Sequence, residues 1–93
     1  MTQIALTERF QRDAAGLAVD QRTALFEAML ALPRAIGNTH LHQGLGIRKL
    51  HASGIWEARV GLGLRLVFAL EPDRMTLVRI GRHEDVRRFL REL

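Results

Sequence analysis

The sequence predicts an α+β domain of order β-α-α-β-β-β-α, a small antiparallel-dominated sheet with a two-helix hairpin on one face. Three patterns carry that expectation. Two period-2 runs flank Gly61-Leu62-Gly63, so residues 54–69 read as a β-hairpin with a short glycine-containing loop. Ahead of it, Ala24, Leu25, Ala28, Met29 and Leu32 recur at helical spacing. After it, Val86, Phe89, Leu90 and Leu93 recur at i, i+3, i+4 and i+7.

Taken in order, Gln3 to Leu6 alternates weakly and has the length of a short strand, with its place in the sheet left open. Thr7 is suited to cap a helix through about Ala15, Glu8 lies near its positive end, and Gly16 ends it. Asp20 is the expected N-cap of a second helix, Gln21 to Leu32, stopped by Pro33. These two helices form an antiparallel pair whose apolar faces can cover a sheet. Arg34 to Gly46 has no period and holds Gly37, Asn38, Gly44 and Gly46, so it reads as a long loop. Arg48-Lys49-Leu50 leads into the hairpin.

If the hairpin loop is right, Val60 pairs with Leu64, Arg59 with Arg65, Ala58 with Leu66, Glu57 with Val67 and Trp56 with Phe68. Strand side chains alternate between faces, so one face collects only apolar groups and the other collects Glu57, Arg59 and Arg65. Two guanidinium groups directly across a strand pair repel. That arrangement calls for an anion beside them, either Glu57 or a bound phosphate. After the Glu71-Pro72-Asp73-Arg74 turn, a strand from Met75 to Gly81 places Leu77 opposite Phe68 on the covered face. Val78 and Ile80 then fall opposite Val67 and Arg65 on the other face, and Arg79 on the covered side near an edge. The last helix, His83 to about Glu92, needs somewhere to dock its apolar stripe, on this chain or on another.

Composition narrows the function classes. The 93 residues make one domain, 1–93, and contain no cysteine, which excludes a disulfide framework or a cysteine zinc site. Glu8 interrupts the N-terminus too early for a signal-peptide core, and no apolar run approaches bilayer length, so a cytoplasmic protein without a membrane segment is expected. Residues 1–47 hold four arginines against four acids, while residues 48–93 hold ten bases against six acids, so the net charge of +4 sits in the second half. A basic half suits a nucleic acid or an acidic protein partner. Thirteen of the fourteen bases are arginine, which recognises phosphate through a planar fork. His40 and His42, with His51 nearby, lack a clear third and fourth ligand, so no metal is expected, and no glycine-rich phosphate loop stands at a strand-to-helix junction.

Three segments, Ser53-Gly-Ile-Trp-Glu-Ala-Arg-Val60, Leu64-Arg-Leu-Val-Phe68 and Arg79-Ile-Gly-Arg-His-Glu-Asp-Val-Arg-Arg88, in this order and spacing resemble the RelE/ParE toxin superfamily of bacterial toxin–antitoxin systems. The resemblance covers nearly the whole chain. It implies two N-terminal helices on one side of a small sheet and a basic site on the open side. Many members cleave ribosome-bound mRNA without a metal or cofactor, ParE-like members poison DNA gyrase, and most are neutralised by a cognate antitoxin protein. Arg65 matches the arginine of the family's Tyr-Arg-Leu-Val-Tyr strand, Arg59 the arginine closing the preceding strand, and His83 the histidine after the last strand. Glu57 matches an acid found in some members and Lys49 a basic residue before the hairpin. Arg87 stands where many RNA-cleaving members have tyrosine, and the chain contains no tyrosine.

Metal-free RNA cleavage needs a base for the 2′-OH proton, cations at the crowded phosphate and an acid for the leaving oxygen. The expected catalytic set is Arg65, His83, Glu57 and Arg59, with Lys49, Arg48, Arg82 and Arg87 as phosphate-binding residues. The open alternatives are that Glu57 merely neutralises arginines, that His83 is an incidental helix-start residue, and that the protein is a gyrase poison or a non-cleaving RNA or antitoxin binder.

Overall fold

The hairpin forms in the expected register, with Val60 facing Leu64, Arg59 facing Arg65 and Trp56 facing Phe68. Gly61 and Gly63, at φ of 55° and 93°, supply the left-handed conformations that the three-residue loop requires. The computed structural model describes residues 3–36 and 44–93. Its elements are β1 Gln3–Leu6, α1 Glu8–Ala15, α2 Val19–Ala35, β2 Arg48–His51, β3 Ile55–Val60, β4 Leu64–Leu70, β5 Arg74–Arg82 and α3 His83–Arg91. The α+β class and the expected order hold, with β2 as an additional short strand before the hairpin. The sheet order is β1-β5-β4-β3-β2, antiparallel except for β1, which lies parallel to β5 at one edge.

Helices α1 and α2 cover one face. Phe10 of α1 and Leu25, Ala28 and Leu32 of α2 share a single apolar cluster with Ala58, Leu66, Phe68 and Leu77 of the sheet. Thr7 starts α1 by accepting from the Phe10 N–H at 3.0 Å, and its hydroxyl donates to the Val78 carbonyl at 3.1 Å. One residue thereby caps a helix and ties it to β5.

Two boundaries differ from expectation. Helix α2 starts after Ala18, whose N–H donates to Gln21 Oε1 at 2.9 Å, so Asp20 lies inside the first turn and is not the cap. Pro33 does not stop the helix, which continues to Ala35. A proline near the C-terminal end removes one backbone bond, and burial of Leu32 and Ala35, both 0% exposed, outweighs that loss. Arg34 and Ala35 therefore belong to α2, while residues 37–43 of the expected loop, with His40 and His42, lie outside the described residues.

The third difference is a bulge. Phe68 pairs with Leu77 but Val67 pairs with Arg79, leaving Val78 as the extra residue of β5. The shift moves Ile80 opposite Leu66, into the helix-covered core, instead of opposite Arg65. Gly81 takes the place beside Arg65. Helix α3 packs on β5 and β4. Val67, which shares a strand face with Arg65, is 0% exposed, and Val86 of α3 is 3% exposed while lying outside the main cluster. The terminal helix thus docks on its own chain, over the second face of the sheet, with Phe89 and Leu90 half-buried.

Candidate functional site

Strand alternation on β3 and β4 places Glu57, Arg59 and Arg65 on the face turned away from α1 and α2. Arg59 is directly across from Arg65, and Glu57 is diagonal to it through Val67. Strand β2 adds Arg48 opposite Glu57, and its Nε donates to Glu57 Oε1 at 2.6 Å. Glu57 is 3% exposed, whereas the Arg48 side chain is 64% exposed, so the pair is a buried carboxylate held from the solvent side. The expected neutralisation of arginine by Glu57 therefore falls on Arg48. Among the described residues, two buried polar atoms have no hydrogen-bond partner, Glu57 Oε2 and Arg65 Nε. Buried polar groups are normally paired, and both orphans belong to this one face.

Gly81, the cross-strand neighbour of Arg65, explains how α3 comes so close. A Cβ at Gly81 would lie 2.9 Å from Asp85 Oδ2 and 3.0 Å from Asp85 Cβ. Asp85 also accepts the Arg82 N–H at 2.9 Å, fixing the first turn of α3 over the end of β5. Asp85 thus brings a carboxylate onto the strand pair that carries Arg65, and sequence reasoning missed it. The signal was present as a glycine ending a strand with an aspartate four residues on, at the third position of a helix.

The remaining candidates divide. His83, exposed, is the first residue of α3 and lies two positions after Gly81. Arg87 is exposed on α3. Lys49 pairs with Trp56, not Glu57, and its Nζ lies 5.9 Å from the Trp56 ring centroid. It therefore serves the opposite side of the sheet, because adjacent strand residues alternate, and the arginine face is not its place. Arg82 pairs with the core residue Leu64 and lines a groove with Arg9, Arg12 and Arg79 at the outer edge of β5. Arg79 is held there by Asp13 of α1 at 2.7 Å. Arg59 borders a second groove, of about 480 Å³, with Glu27 and Ala31 of α2. The structure therefore pairs Arg48 with Glu57 on the face that carries Arg65 and sets Arg59 across from Arg65. Asp85 lies against Gly81 and shares the β5-edge groove with Arg82. His83 is exposed at the start of α3, and Lys49 serves the other side of the sheet. Among the described residues, no cluster of three or more histidine, aspartate or glutamate side chains is arranged to hold a metal.

No protein-family description and no curated protein sequence matches the chain. Solved structures do. The chain is similar to YafQ from E. coli, with 23% identity, a TM-score of 0.70, and coverage of 92% of this chain and 98% of that one. It is similar to YafQ in the E. coli DinJ–YafQ toxin–antitoxin complex at 23% identity, a TM-score of 0.69, and coverage of 91% and 96%. The RelB–RelE antitoxin–toxin complex from Methanococcus jannaschii matches at 15% identity, a TM-score of 0.66, and coverage of 91% and 96%. The chain has the RelE-like toxin fold over 92% of its length.

Proposed function

We propose that this chain is the toxin of a toxin–antitoxin pair and acts in the cytoplasm as a metal-independent endoribonuclease on mRNA at the ribosome. The observation that carries the reading is the pair of arginines directly across β3 and β4, one with a buried, unpartnered Nε, next to a carboxylate already neutralised by Arg48. With Glu57 held by Arg48, the buried Nε of Arg65 has no hydrogen-bond partner and suits a phosphate oxygen. Arg65 and Arg59 would stabilise the crowded phosphate and His83 would exchange the proton, since imidazole does so near neutrality. Glu57, 3% exposed and clamped, suits a positioning role better than that of a base meeting solvent.

The antitoxin partner is inferred by analogy, since DinJ and RelB accompany the toxins of this fold in the structures above. A second reading, a gyrase poison or a non-cleaving RNA binder, is favoured by the absence of tyrosine and the burial of Glu57. Primer extension on cellular mRNA after induction of the protein, run beside a gyrase supercoiling assay, separates the two. Ribosome-dependent cuts support the first reading, and inhibited supercoiling with intact mRNA supports the second.

A further inference from the structure

The free edge of β5 carries a second set of arginines, apart from the pair across β3 and β4. Strand β1 pairs with β5 only as far as Leu77, so the edge from Val78 to Arg82 is left to the helices. Side chains close its backbone. Thr7 Oγ1 donates to the Val78 carbonyl at 3.1 Å, Asp13 Oδ2 accepts the Ile80 N–H at 3.2 Å, and Asp85 Oδ2 accepts the Arg82 N–H at 2.9 Å. Along this edge a groove of about 500 Å³ lies between α1 and the first turn of α3. Arg9, Arg12, Asp13 and Gly16 line it at i, i+3, i+4 and i+7, one side of α1. Arg79 and Arg82 line it from β5, and Asp85 from α3.

Four arginines meet two carboxylates in this groove, and both carboxylates are engaged. Asp13, its side chain 13% exposed, accepts Arg79 Nε at 2.7 Å and Arg9 Nε at 3.3 Å besides the Ile80 N–H. Asp85 holds the Arg82 backbone and lies 3.9 Å from Arg88. The Arg12 and Arg82 side chains, both exposed, pair with no carboxylate among the described residues. The groove thus offers two guanidinium forks beside a backbone whose edge groups are taken. An extended peptide joins a sheet edge through main-chain hydrogen bonds, which these groups no longer supply. A phosphodiester needs only the forks. Gly81 links the groove to the Arg65 face, since it lines the groove and is the cross-strand partner of Arg65, about 5 Å away in an antiparallel ladder. We infer that the groove is a second backbone site for single-stranded RNA, in which Arg12 and Arg82 hold phosphate and extend the track that begins at Arg65. The inference rests on the proposed role of Arg65 as a phosphate-binding residue.

The test is the salt dependence of binding between the purified full chain and a fluorescent single-stranded RNA whose sugars are all 2′-O-methyl, so that it is bound and not cut. The double variant Arg12→Gln/Arg82→Gln should lower the slope of log affinity against log salt by about 1.4, the share of two single-strand phosphate contacts. Its circular dichroism should be unchanged, because both side chains are exposed. Arg34→Gln/Arg91→Gln removes the same charge from exposed positions outside the groove and should leave the slope as it is. Arg65→Ala in the same assay keeps the two readings apart. A lower slope for Arg65→Ala beside an unchanged slope for Arg12→Gln/Arg82→Gln overturns the groove and leaves the Arg65 site standing. The reverse result supports the groove as an RNA site and overturns the role of Arg65 instead. Polyglutamate that binds wild type but not Arg12→Gln/Arg82→Gln, with the RNA slope of that variant unchanged, would give the groove to an acidic protein segment and overturn the inference. So would a control pair that lowers the slope as far as the groove pair.

Discussion

Arg65 and Glu57 sit on one sheet face with opposite fates, and both follow from what lies across the strands. Glu57 has Arg48 at 2.6 Å, while Arg65 has Arg59 on one side and Gly81 on the other. Arg65→Ala should abolish growth arrest while leaving the circular dichroism spectrum intact, since the residue adds charge and little core area. Arrest by a folded Arg65→Ala protein would remove the residue from the site. Arg65→Lys should recover only part of the activity, because an ammonium does not reproduce a planar fork. Arg48→Ala leaves a buried carboxylate without its cation and should cost about 1–3 kcal/mol in urea unfolding, a loss moderated by the exposure of Arg48. Replacing both members, Arg48→Met with Glu57→Leu, should cost less than that single change, because removing a buried pair together strands no charge. The carboxylate on the arginine face was legible from strand parity. Its partner was not, because Arg48-Lys49-Leu50 carries no period that marks a strand, and β2 is defined by pairing to β3.

At the level of elements, the fit of α3 depends on one missing side chain. Gly81→Ala would put a methyl group against Asp85 and push the first turn of α3 away from β5. The expected cost is about 1–3 kcal/mol, as for other overpacked contacts. Hydrogen exchange should show faster opening across residues 83–91 than across α2, and equal protection in both helices would contradict the docking argument. The helix pair, the hairpin register and the terminal helix were readable because periodicity and glycine placement are local signals. The bulge at Val78 was not, since it lies in the pairing of β5 with β4, and the Val78 carbonyl is met by Thr7, 71 residues away in sequence. A single extra residue then exchanged Ile80 for Gly81 beside Arg65. Pro33 misled for a related reason, because local backbone preference yielded to burial of Leu32 and Ala35.

Across the whole molecule, the two sides of the sheet do different work, one holding the chain together through α1 and α2 and the other presenting arginines beside α3. The charge asymmetry matches that division, with the excess of bases in residues 48–93 that build β2 to β5 and α3. RNA affinity should therefore fall with salt, and Arg65→Ala should reduce the slope of log affinity against log salt by about 0.7, the share of one single-strand phosphate contact. An unchanged slope would mean that Arg65 touches no phosphate. Under the proposed function this face cuts RNA and does not merely bind it. Single-turnover cleavage of mRNA on programmed ribosomes, comparing wild type with His83→Gln, tests it most directly. Wild type should cut, and His83→Gln should be slower by roughly 10²–10⁴ with RNA binding little changed, the usual effect of removing a positioned proton-transfer group. A wild-type protein that binds the programmed ribosome and never cuts its mRNA would make this face a binding surface and not a nuclease site.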